Sequence, residues 1–380
     1  MTGARSILVV TGSRADFGLL LPVIRAALAH PALSTSVVAC GSHLLPPAET
    51  WRDVQHAGVA LGARIEMQRP GETGRFHDAR AVGRGIDSFA SLFERVAPDW
   101  VVVLGDRIEA FAAGAAAAIA GVGLAHLHAG DRAEGIVDES MRHALSRLAH
   151  LHLAASPQSA ARLLRSGEEQ HRVQFIGSPA IDALRDTPPL DDEPLRELDA
   201  PSAVLLLHPA GLSESEERAW VRAAAQALAG RRVLVLSPNF DAGREWVLDE
   251  LQRAAGANGW PLVDHLPRGR FVGLLKRLAL DPSGVIVGNS SAALIEAAAL
   301  RLPAVNIGPR QGGRERPPSV IDALEPTPGA VARAIGHALA LDRSTLTHPY
   351  GDGRAGERAV ALLAEINPHD RGWSRKRCAY

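Results

Sequence analysis

The 380-residue sequence predicts an α/β fold of two doubly wound, Rossmann-like domains that face each other across a cleft. Short apolar runs, typical of buried parallel strands, alternate with helical segments along the chain. The alternation stops at one proline-rich, acidic stretch and then starts again. Polar and glycine-rich loops follow several of these runs directly, where open parallel sheets bind their ligands. The repeated pattern on either side of one linker indicates two domains.

The proline-rich stretch predicts the domain boundaries. We expect an N-terminal domain over residues 1–185, a linker over 186–200 and a C-terminal domain over 201–355. Residues 356–380 form a final helix and a polar, basic tail, and the helix is expected to pack back on the N-terminal domain. A chain of 380 residues is long for one domain and comfortable for two.

Composition and charge exclude several classes of protein. Hydrophobic residues make up 46% and charged residues 22%, as in ordinary globular proteins, and a formal net charge of -1 predicts no nucleic-acid partner. Cys40 ends a predicted buried strand and Cys378 lies in the tail, so we expect no disulfide framework and a reducing, cytoplasmic compartment. We expect no signal peptide, because the apolar run Ile7–Val10 is too short for one. We expect no membrane partner, because the alanine-rich run 110–125 is shorter than a membrane span. Homodimers are common among soluble oligomers, so a homodimer or higher homo-oligomer is expected.

The first half of the chain is predicted to alternate between strands and helices. The first strand, residues 7–10, leads into a loop at Thr11–Gly18 and a helix over 19–29 with Pro22 in its first turn. Helices are also predicted over 138–148 and, interrupted by glycines, over 72–96. The other predicted strands lie at 37–40, at 101–104, near 125–128, at 150–154 and at 176–179.

Two strand ends in the first half carry candidate site residues. Arg14 follows the first strand and either contacts a phosphate or lies in solvent, and Asp16 belongs to the same loop. Asp106 directly follows the strand at 101–104. It is a candidate functional carboxylate at the ligand-binding edge or the cap of the next helix, and the two roles are compatible.

A third strand end contains two histidines and an aspartate. His126 and His128 would share one face of a strand, and Asp131 follows. The spacing suggests a metal site, but no partner set of the right kind accompanies it, so we favour a structural role and expect no metal.

The helix over 138–148 begins with acidic residues. Asp138 with Arg142 and Glu139 with His143 are spaced four apart, and such pairs contribute little when exposed. The helix dipole alone favours acidic residues at this end. We nevertheless expect this end of the helix to face the same cleft as the other candidates.

The second half restarts the alternation. His208 and Pro209 follow its first strand, and Asn239 and Asp241 lie in a tight polar loop after its second. The predicted strands are 204–207, 233–236, 261–266, 285–287 and 304–307, and the predicted helices are 214–228, 269–278, 290–300, 331–341 and 357–366.

The stretch from Val285 to Arg316 is the most informative in the chain. Gly288 and Asn289 turn the chain after a strand. Ser290 and Ser291 then begin the helix over 290–300, whose free N–H groups offer an anion site. Ser290 alone is typical of a simple N-cap.

Glu296 and three arginines lie further along this stretch. Glu296 is about one and a half turns into the predicted helix, too far to cap it, so a sugar hydroxyl is one candidate partner. Arg310, Arg314 and Arg316 crowd a glycine-rich loop, where guanidinium groups can hold a phosphate or a carboxylate. The combination predicts a phosphate or nucleotide site.

Six short motifs, spread over about residues 5–320, are more specific together than any one of them is alone. They are T-G-S-R-A-D-F-G at Thr11–Gly18, G-D-R-I-E-A at Gly105–Ala110, D-E-S-M-R-H at Asp138–His143, H-P at His208–Pro209, P-N-x-D-A-G at Pro238–Gly243 and G-N-S-S…E…V-N-I-G-x-R-Q-x-G-R-E at Gly288–Glu315. In this order they resemble the hydrolysing UDP-N-acetylglucosamine 2-epimerases of sialic and nonulosonic acid biosynthesis.

The resemblance implies a fold and a reaction. The family has the two-domain fold of B-type nucleotide-sugar glycosyltransferases (GT-B), in which the C-terminal domain holds UDP and the N-terminal domain brings carboxylates to the sugar. A carboxylate would remove the C2 proton of UDP-N-acetylglucosamine while UDP leaves C1. The 2-acetamidoglucal intermediate would then take up water at C1 and a proton at C2, which gives free N-acetylmannosamine. No cofactor is implied.

The resemblance also implies roles for the candidate residues. Asp106, Asp131 and Asp138 are the carboxylate candidates, and which is base and which is acid stays open. His208 would contact the diphosphate or donate a proton to it. Arg14, Arg310 and the helix end at Ser290 and Ser291 would stabilise the leaving group, with Glu296 on the ribose. The other binding candidates are Asp16, Glu139, Arg142, Asn239, Asp241, Gly288 and Asn289.

At one position the chain departs from the family pattern. The family usually has His-Gly-Gly-Glu, whereas this chain has His-Ala-Gly-Asp at His128–Asp131. The shorter side chain changes the reach to the sugar by roughly an ångström. Ala129–Arg132 also partly matches the Ala-Gly-x-Arg sequence of non-hydrolysing bacterial epimerases. A non-hydrolysing epimerase, a hydrolysing epimerase for a GDP-linked or modified sugar, a GT-B glycosyltransferase and a non-catalytic nucleotide-sugar binder therefore stay open.

Overall fold

The structure, a computed structural model, describes residues 4–46, 49–134, 138–239 and 241–379. The chain divides into two compact units. Unit 1 comprises Met1–Asp131, Val137–Asp182 and Gly351–Tyr380, and unit 2 comprises Arg132–Ile136 and Ala183–Tyr350. Each unit contains one parallel sheet combined with helices, so the predicted fold class of two doubly wound α/β domains is confirmed.

Unit 1 is built on a seven-stranded parallel sheet. Its strands are β1 (Arg5–Thr11), β2 (Leu33–Cys40), β3 (Leu61–Ile65), β4 (Trp100–Leu104), β5 (Gly123–Leu127), β6 (Leu151–Ala154) and β7 (Val173–Phe175). They lie in the order β3-β2-β1-β4-β5-β6-β7. The helices are α1 (Arg14–Ala29), α2 (Trp51–His56), α3 (Arg75–Val96), α4 (Ile108–Ala120), α5 (Asp138–Leu148), α6 (Pro157–Arg165) and α7 (Pro179–Asp186), the last of which leads into unit 2.

Unit 2 has a six-stranded parallel sheet. Its strands are β8 (Ala203–Leu206), β9 (Val233–Leu236), β10 (Leu262–Val263), β11 (Val285–Gly288), β12 (Ala304–Ile307) and β13 (Val320–Ala323). They lie in the order β10-β9-β8-β11-β12-β13. The helices are α8 (Asp192–Arg196), α9 (Glu214–Leu228), α10 (Arg244–Asn258), α11 (Arg268–Leu280), α12 (Ser291–Leu294), α13 (Glu296–Ala299) and α14 (Pro328–Leu339).

The chain passes from unit 1 to unit 2 after Asp131 and again after Asp182, and it returns after Ile136 and after Tyr350. Residues 186–200, predicted as a linker, contain α8 and bond to α11: the N–H of Leu190 donates to the carbonyl of Gly273 at 3.1 Å. After α14 the chain returns to unit 1 with α15 (Ala355–Glu365) and α16 (Arg371–Ser374). Asp182, 7% exposed, accepts the N–H groups of Ala355 at 3.0 Å and Gly356 at 2.7 Å. It therefore caps α15 from outside the helix.

Apolar side chains cover both faces of the unit 1 sheet. Ile7 and Val9 of β1 belong to a core that includes α1 and α15, whereas Leu8 and Val10 belong to a second core with α3 and α4. Alternate residues of a strand point to opposite faces, so a continuous apolar run is required where helices cover both. This explains why such runs were the reliable strand signal in the sequence.

α1 begins earlier than the sequence analysis predicts. Ser13 is its N-cap, and Asp16 completes a capping box with the backbone N–H of Ser13. The helix therefore starts at Arg14, and Pro22 lies in its interior rather than in its first turn. The predicted loop over Thr11–Gly18 is wrong, because the capping box of Ser13 and Asp16 starts the helix within it.

Other differences have local causes. The predicted strand at 176–179 is wrong, since β7 ends before it. α3 is not interrupted by its glycines. A Cβ on Gly85 would lie 2.9 Å from the Cβ of Ala112, so this glycine permits the close packing of α3 on α4. β3, β13, α2, α6 and α10 were not predicted from the sequence. In the described part of the chain no helix has the length and apolarity needed to span a bilayer.

We expect Asp182→Asn to lower the free energy of unfolding by about 2 kcal/mol, because the amide group replaces one of the two carboxylate acceptors that hold buried N–H groups. Urea unfolding followed by intrinsic fluorescence measures the change. Asp352→Asn is the matched control: Asp352 pairs with Arg358 on the surface, where solvent screens the pair, so a smaller loss is expected. Equal losses in the two variants would contradict the capping role.

Candidate functional site

The strand order of unit 1 reverses between β1 and β4. β2 and β3 lie on one side of β1, and β4 to β7 lie on the other. Open α/β sheets bind ligands beside the carboxyl ends of the strands at such a point. Gly12–Arg14 follows β1 and Gly105–Arg107 follows β4. Two predicted site residues, Arg14 and Asp106, therefore lie at this crevice.

A buried ion pair joins Asp106 to α5. Arg142, 3% exposed, donates from Nη2 to Oδ2 of Asp106, whose side chain is 15% exposed. Burial alone would lower the pKa of Arg142, but the charges of Asp106, Asp131 and Glu139 outweigh it and raise the pKa. The guanidinium is therefore charged and lies among carboxylates. Within the described residues, Oδ1 of Asp106 has no hydrogen-bonding partner.

A neutral histidine ties the same strand end to α5 a second time. The buried side chain of His126 places Nε2 2.7 Å from the carbonyl oxygen of Gly105 and Nδ1 3.2 Å from Oγ of Ser146. Burial lowers the pKa of His126 to about 3, so the ring is neutral. A carbonyl only accepts, so Nε2 carries the proton and Nδ1 accepts from Ser146. The imidazole of His126 thus connects Ser146 of α5 to Gly105, the residue before Asp106.

Asp131 lies in a closed hydrogen-bond network with His128. β5 ends before His128, which has a φ of 59°, so the prediction that His126 and His128 share a strand face is wrong. Asp131 is 3% exposed; Oδ2 accepts from Nδ1 of His128 at 2.8 Å and Oδ1 accepts from Ser159 at 2.8 Å. Nε2 of His128 is 3.0 Å from Oγ of Ser178. Both carboxylate oxygens of Asp131 therefore have donors within unit 1.

Asp16 and Arg14 hold the turn after β1. Asp16 accepts the N–H groups of Gly12 at 2.8 Å and Ser13 at 2.7 Å. Arg14 donates from Nε to Asp53 at 2.6 Å, and both side chains are more than a third exposed. An exposed pair of this kind contributes about 0–1 kcal/mol, so Arg14 can exchange Asp53 for another anion at little cost.

Two further candidates begin α5. Glu139 lies 3.1 Å from Nε2 of His143, which confirms the predicted pair. The side chain of Asp138 lies outside the described residues, so its pair with Arg142 stays a prediction. Among the residues that the structure describes, no group of three or more His, Cys, Asp or Glu side chains is arranged to hold a metal ion.

In unit 2 the strand order reverses between β8 and β11. His208 follows β8, and Asn289 follows β11 directly. Gly288 ends β11 with a φ of 154°, and a Cβ there would lie 1.9 Å from the carbonyl oxygen of Leu206. Only glycine therefore allows the two strand ends to lie this close together.

Two asparagines fix His208. The side chain of Asn289 accepts the N–H of His208 at 2.7 Å and donates to its carbonyl at 2.7 Å. The N–H of Asn239 donates to Nδ1 of His208 at 3.1 Å. Burial, and then the charge of Arg310, lower the pKa of His208 well below its ordinary value. The ring is therefore neutral, with Nδ1 as acceptor and the proton on Nε2.

Arg310 and Gln311 complete this edge of the sheet. Arg310 donates to the carbonyls of Pro209 at 3.1 Å and Asn289 at 3.3 Å, and to Asp241 at 3.4 Å. Gln311 donates to the same Asn289 carbonyl at 2.7 Å. A fixed positive charge thus lies beside the loops that follow β8, β9 and β11.

The predicted helix over 290–300 consists of two short helices. α12 and α13 meet at Ile295, where φ is -104° and ψ is -71°. Ser290 caps α12 by accepting the N–H of Ala292 at 3.4 Å, and Ser291 is the first residue of the helix. A one-turn helix has only a small dipole. Attraction of an anion at this end therefore depends on the local N–H groups and on Arg310.

Glu296 begins α13 and is 3% exposed. Its Oε1 accepts from Nη1 of Arg268, in the first turn of α11, at 2.6 Å. The sequence analysis missed Arg268 because no motif connects it to Glu296. The other two arginines of the glycine-rich loop have structural partners: Arg314 donates to the carbonyl of Arg132 at 2.7 Å, and Arg316 pairs with Asp322 at 3.0 Å.

Residues 25–364 match the protein family described as UDP-N-acetylglucosamine 2-epimerase. A Legionella pneumophila protein named UDP-N,N'-diacetylbacillosamine 2-epimerase (hydrolyzing) is 31% identical over 96% of this chain and 97% of its own length. A Neisseria meningitidis UDP-N-acetylglucosamine 2-epimerase is 30% identical over 97% of each chain. A Campylobacter jejuni GDP/UDP-N,N'-diacetylbacillosamine 2-epimerase (hydrolyzing) is 26% identical over 84% of each.

Solved structures share the fold. The Methanocaldococcus jannaschii UDP-GlcNAc 2-epimerase, in complex with UDP-GlcNAc and UDP, has a TM-score of 0.80 at 18% identity and covers 95% of this chain and 100% of its own. The Neisseria meningitidis UDP-GlcNAc 2-epimerase, bound to UDP-GlcNAc, has a TM-score of 0.75 at 19% identity with the same coverage. The GT-B-like fold is therefore confirmed.

Burial of His126 predicts a specific pH dependence of stability. Its pKa is about 3 in the folded chain and about 6.5 when unfolded, so between these values the unfolded state binds the additional proton. Stability therefore falls with decreasing pH, by up to about 1.4 kcal/mol per pH unit for this residue. We expect His126→Gln to lose less stability between pH 6.5 and 4.5 than the unaltered protein, as measured by urea unfolding. The surface variant His56→Gln is the control, and parallel pH curves for His126→Gln and the unaltered protein would contradict the assignment.

Proposed function

The chain belongs to the UDP-N-acetylglucosamine 2-epimerase family, and from that premise we propose that it is a hydrolysing 2-epimerase. The substrate is UDP-N-acetylglucosamine, and the products are N-acetylmannosamine and UDP. The observation that carries the proposal is Asp106, a carboxylate fixed by Arg142 at a strand-order reversal with one oxygen unpaired among the described residues. The relatives named as hydrolysing, at 31% and 26% identity, support the hydrolytic outcome.

The first step is proton removal. A carboxylate takes the proton from C2 while the C1–O bond breaks and its electron pair leaves with UDP. This gives the 2-acetamidoglucal. Asp106 is the preferred base, because Arg142 orients it and Oδ1 is available. Asp131 is less suited to be the base, because both of its carboxylate oxygens already accept hydrogen bonds. Asp138 is the candidate acid at the start of α5.

The second step is hydration. Water adds to C1 of the double bond, and a proton is delivered to the opposite face of C2 from the one that lost it. The product is free N-acetylmannosamine. Two groups on different faces of the ring are therefore required, one to remove and one to deliver a proton. Asp106 and Asp138 supply them in this proposal.

Unit 2 holds the leaving group. His208 donates a hydrogen bond from Nε2 to a diphosphate oxygen, and Arg310 supplies the fixed positive charge. The N–H groups around Ser290 and Ser291 add short-range donors. Glu296, fixed by Arg268, accepts from the ribose hydroxyls. Because the donors are already fixed, little reorganisation accompanies the growth of charge on UDP.

A second candidate substrate is UDP-N,N'-diacetylbacillosamine. The names of the Legionella and Campylobacter relatives favour it. The chemistry at C1 and C2 would be unchanged, and only the substituents at C4 and C6 of the sugar would differ. A GDP-linked form of the same sugar is a further test substrate, since the Campylobacter name includes both nucleotides.

Proton NMR in deuterated water tests the reaction. We expect purified protein with UDP-N-acetylglucosamine to release UDP and an equal amount of N-acetylmannosamine that carries deuterium at C2. Release from UDP-N,N'-diacetylbacillosamine at a higher kcat/KM would select the second candidate. Formation of a UDP-linked epimer without free sugar would overturn the hydrolytic proposal, and no turnover of any of these substrates would overturn the function.

Asp106→Asn tests the base. We expect the rate of UDP release to fall about 1,000-fold, within the range that general acid–base groups contribute. The affinity for UDP, measured by calorimetry, should stay within twofold, because Asp106 lies in unit 1 and the proposed UDP contacts lie in unit 2. Asp53→Asn, which removes the surface partner of Arg14, is the control and should retain activity. Turnover near the parent rate in Asp106→Asn would remove Asp106 from the mechanism.

A further inference from the structure

The segment of residues 371–379, called the tail segment here, is docked on unit 1 by a buried arginine. The side chain of Arg172 is fully buried. It donates to the carbonyls of Gly372 at 2.8 Å, Trp373 at 2.9 Å and Arg375 at 3.2 Å. The N–H of Ala379 donates to the carbonyl of Gly167 at 2.9 Å. The tail segment is therefore an ordered part of unit 1.

Lys376 of the tail segment contacts the carboxyl end of α5. Its Nζ donates to the carbonyls of Ser146 at 3.0 Å, Arg147 at 2.8 Å and Ala149 at 2.9 Å. Helix ends leave their last carbonyls without partners inside the helix. A lysine ammonium has three donors, which are shared here between these carbonyls and the carboxylate of Glu168. A cation at this end also complements the helix dipole.

The charge of Lys376 is balanced by a buried carboxylate. Glu168, 2% exposed, pairs with Lys376 at 2.6 Å and with Arg147 at 2.7 Å, and accepts from His152 at 2.9 Å. Burial alone would raise the pKa of Glu168, but these partners lower it to about 2. Glu168 therefore stays ionised and holds the ammonium at the end of α5.

α5 transmits this contact to the candidate base. The carbonyl of Ser146 accepts from Lys376, while its hydroxyl donates to His126, which donates to the carbonyl of Gly105. One turn earlier on the same helix, Arg142 holds the carboxylate of Asp106. A shift of α5 along its axis would therefore move both supports of the strand end that carries Asp106.

We propose that Lys376, through its contact with α5, is a positioning residue for Asp106. This rests on the proposed function, in which Asp106 is the base. The ammonium does not touch the reacting atoms. It fixes the position of α5 and thereby the orientation of the Asp106–Arg142 pair. Misplacement of a catalytic group by about an ångström can cost about 100-fold in rate.

Lys376→Met tests the proposal, since methionine keeps an apolar stem of similar length and removes the ammonium. We expect kcat for UDP release to fall about 10-fold to 100-fold, with KM and the affinity for UDP within twofold. Arg377→Met is the matched control: it removes the neighbouring positive charge and keeps the backbone N–H of residue 377, which donates to Glu169. Its kcat should stay within twofold. A folded Lys376→Met protein with kcat within twofold of the parent would overturn the proposal.

Ser146→Ala is the second variant and does not depend on the stability of Lys376→Met. It keeps the carbonyl that Lys376 binds and removes only the hydroxyl that donates to His126. We expect kcat to fall about fivefold, again without a change in KM. The variant loses the hydrogen bond from Ser146 to His126, which supports Gly105, while Arg142 still holds Asp106. An unchanged kcat would overturn this path.

Hydrogen exchange separates failure of the proposal from failure of the assigned reaction. In Lys376→Met we expect faster amide exchange in α5 as far as the turn that carries Arg142, whatever substrate the protein uses. Faster exchange confined to residues 146–149 would overturn the positioning role. Absence of turnover in the unaltered protein, with faster exchange at Arg142, would reject the proposed substrates and leave the positioning by Lys376 supported.

Discussion

The buried charge of Arg142 is the constraint on which the site in unit 1 depends. A guanidinium that is 3% exposed must be paired, because an ion pair broken in the interior costs about 3–5 kcal/mol. Asp106 is its partner, so the end of β4 has to meet α5 at that residue. His126 and Ser146 form the second connection between the same two elements. The buried Arg142–Asp106 pair thus both stabilises unit 1 and fixes the position of the candidate base.

In unit 2 the candidate site residues are fixed by hydrogen bonds more than by ion pairs. Asn289 holds the backbone of His208, the N–H of Asn239 donates to Nδ1 so that the ring proton lies on Nε2, and Arg310 is the nearby cation. The pKa of His208 lies well below its ordinary value, mainly through burial, so the ring is rarely protonated near neutral pH. Of the two roles that the family resemblance implies, this favours hydrogen bonding to the diphosphate over proton donation.

The sequence predicted the strands well because both faces of each sheet are covered, which leaves a run of apolar residues for each central strand. The strands β9 and β12 and the helices α5 and α9 have the predicted bounds. The short edge strands β3 and β13 were missed, since their burial is incomplete. Edge position weakens the apolar pattern on which the prediction depends.

The candidate site was predictable only where a motif lies directly after a strand. Asp106, His208 and Asn289 are such cases, because parallel strands bring their carboxyl ends to one edge. Arg268 and Lys376 act on Glu296 and α5 from distant positions in the chain, and no spacing rule connects them. Contacts between residues that are distant in the chain depend on how helices and strands pack, and this packing cannot be read from a single sequence.

The aspartate at position 131 also fits the packing around it. Asp131 fits between His128 and Ser159 with both oxygens bonded, and one more methylene would displace the carboxylate from these donors. Under the proposed mechanism, the two proton-transfer groups are then Asp106 and Asp138. Position 138 lies one helical turn before Arg142 in α5, and Arg142 already holds Asp106.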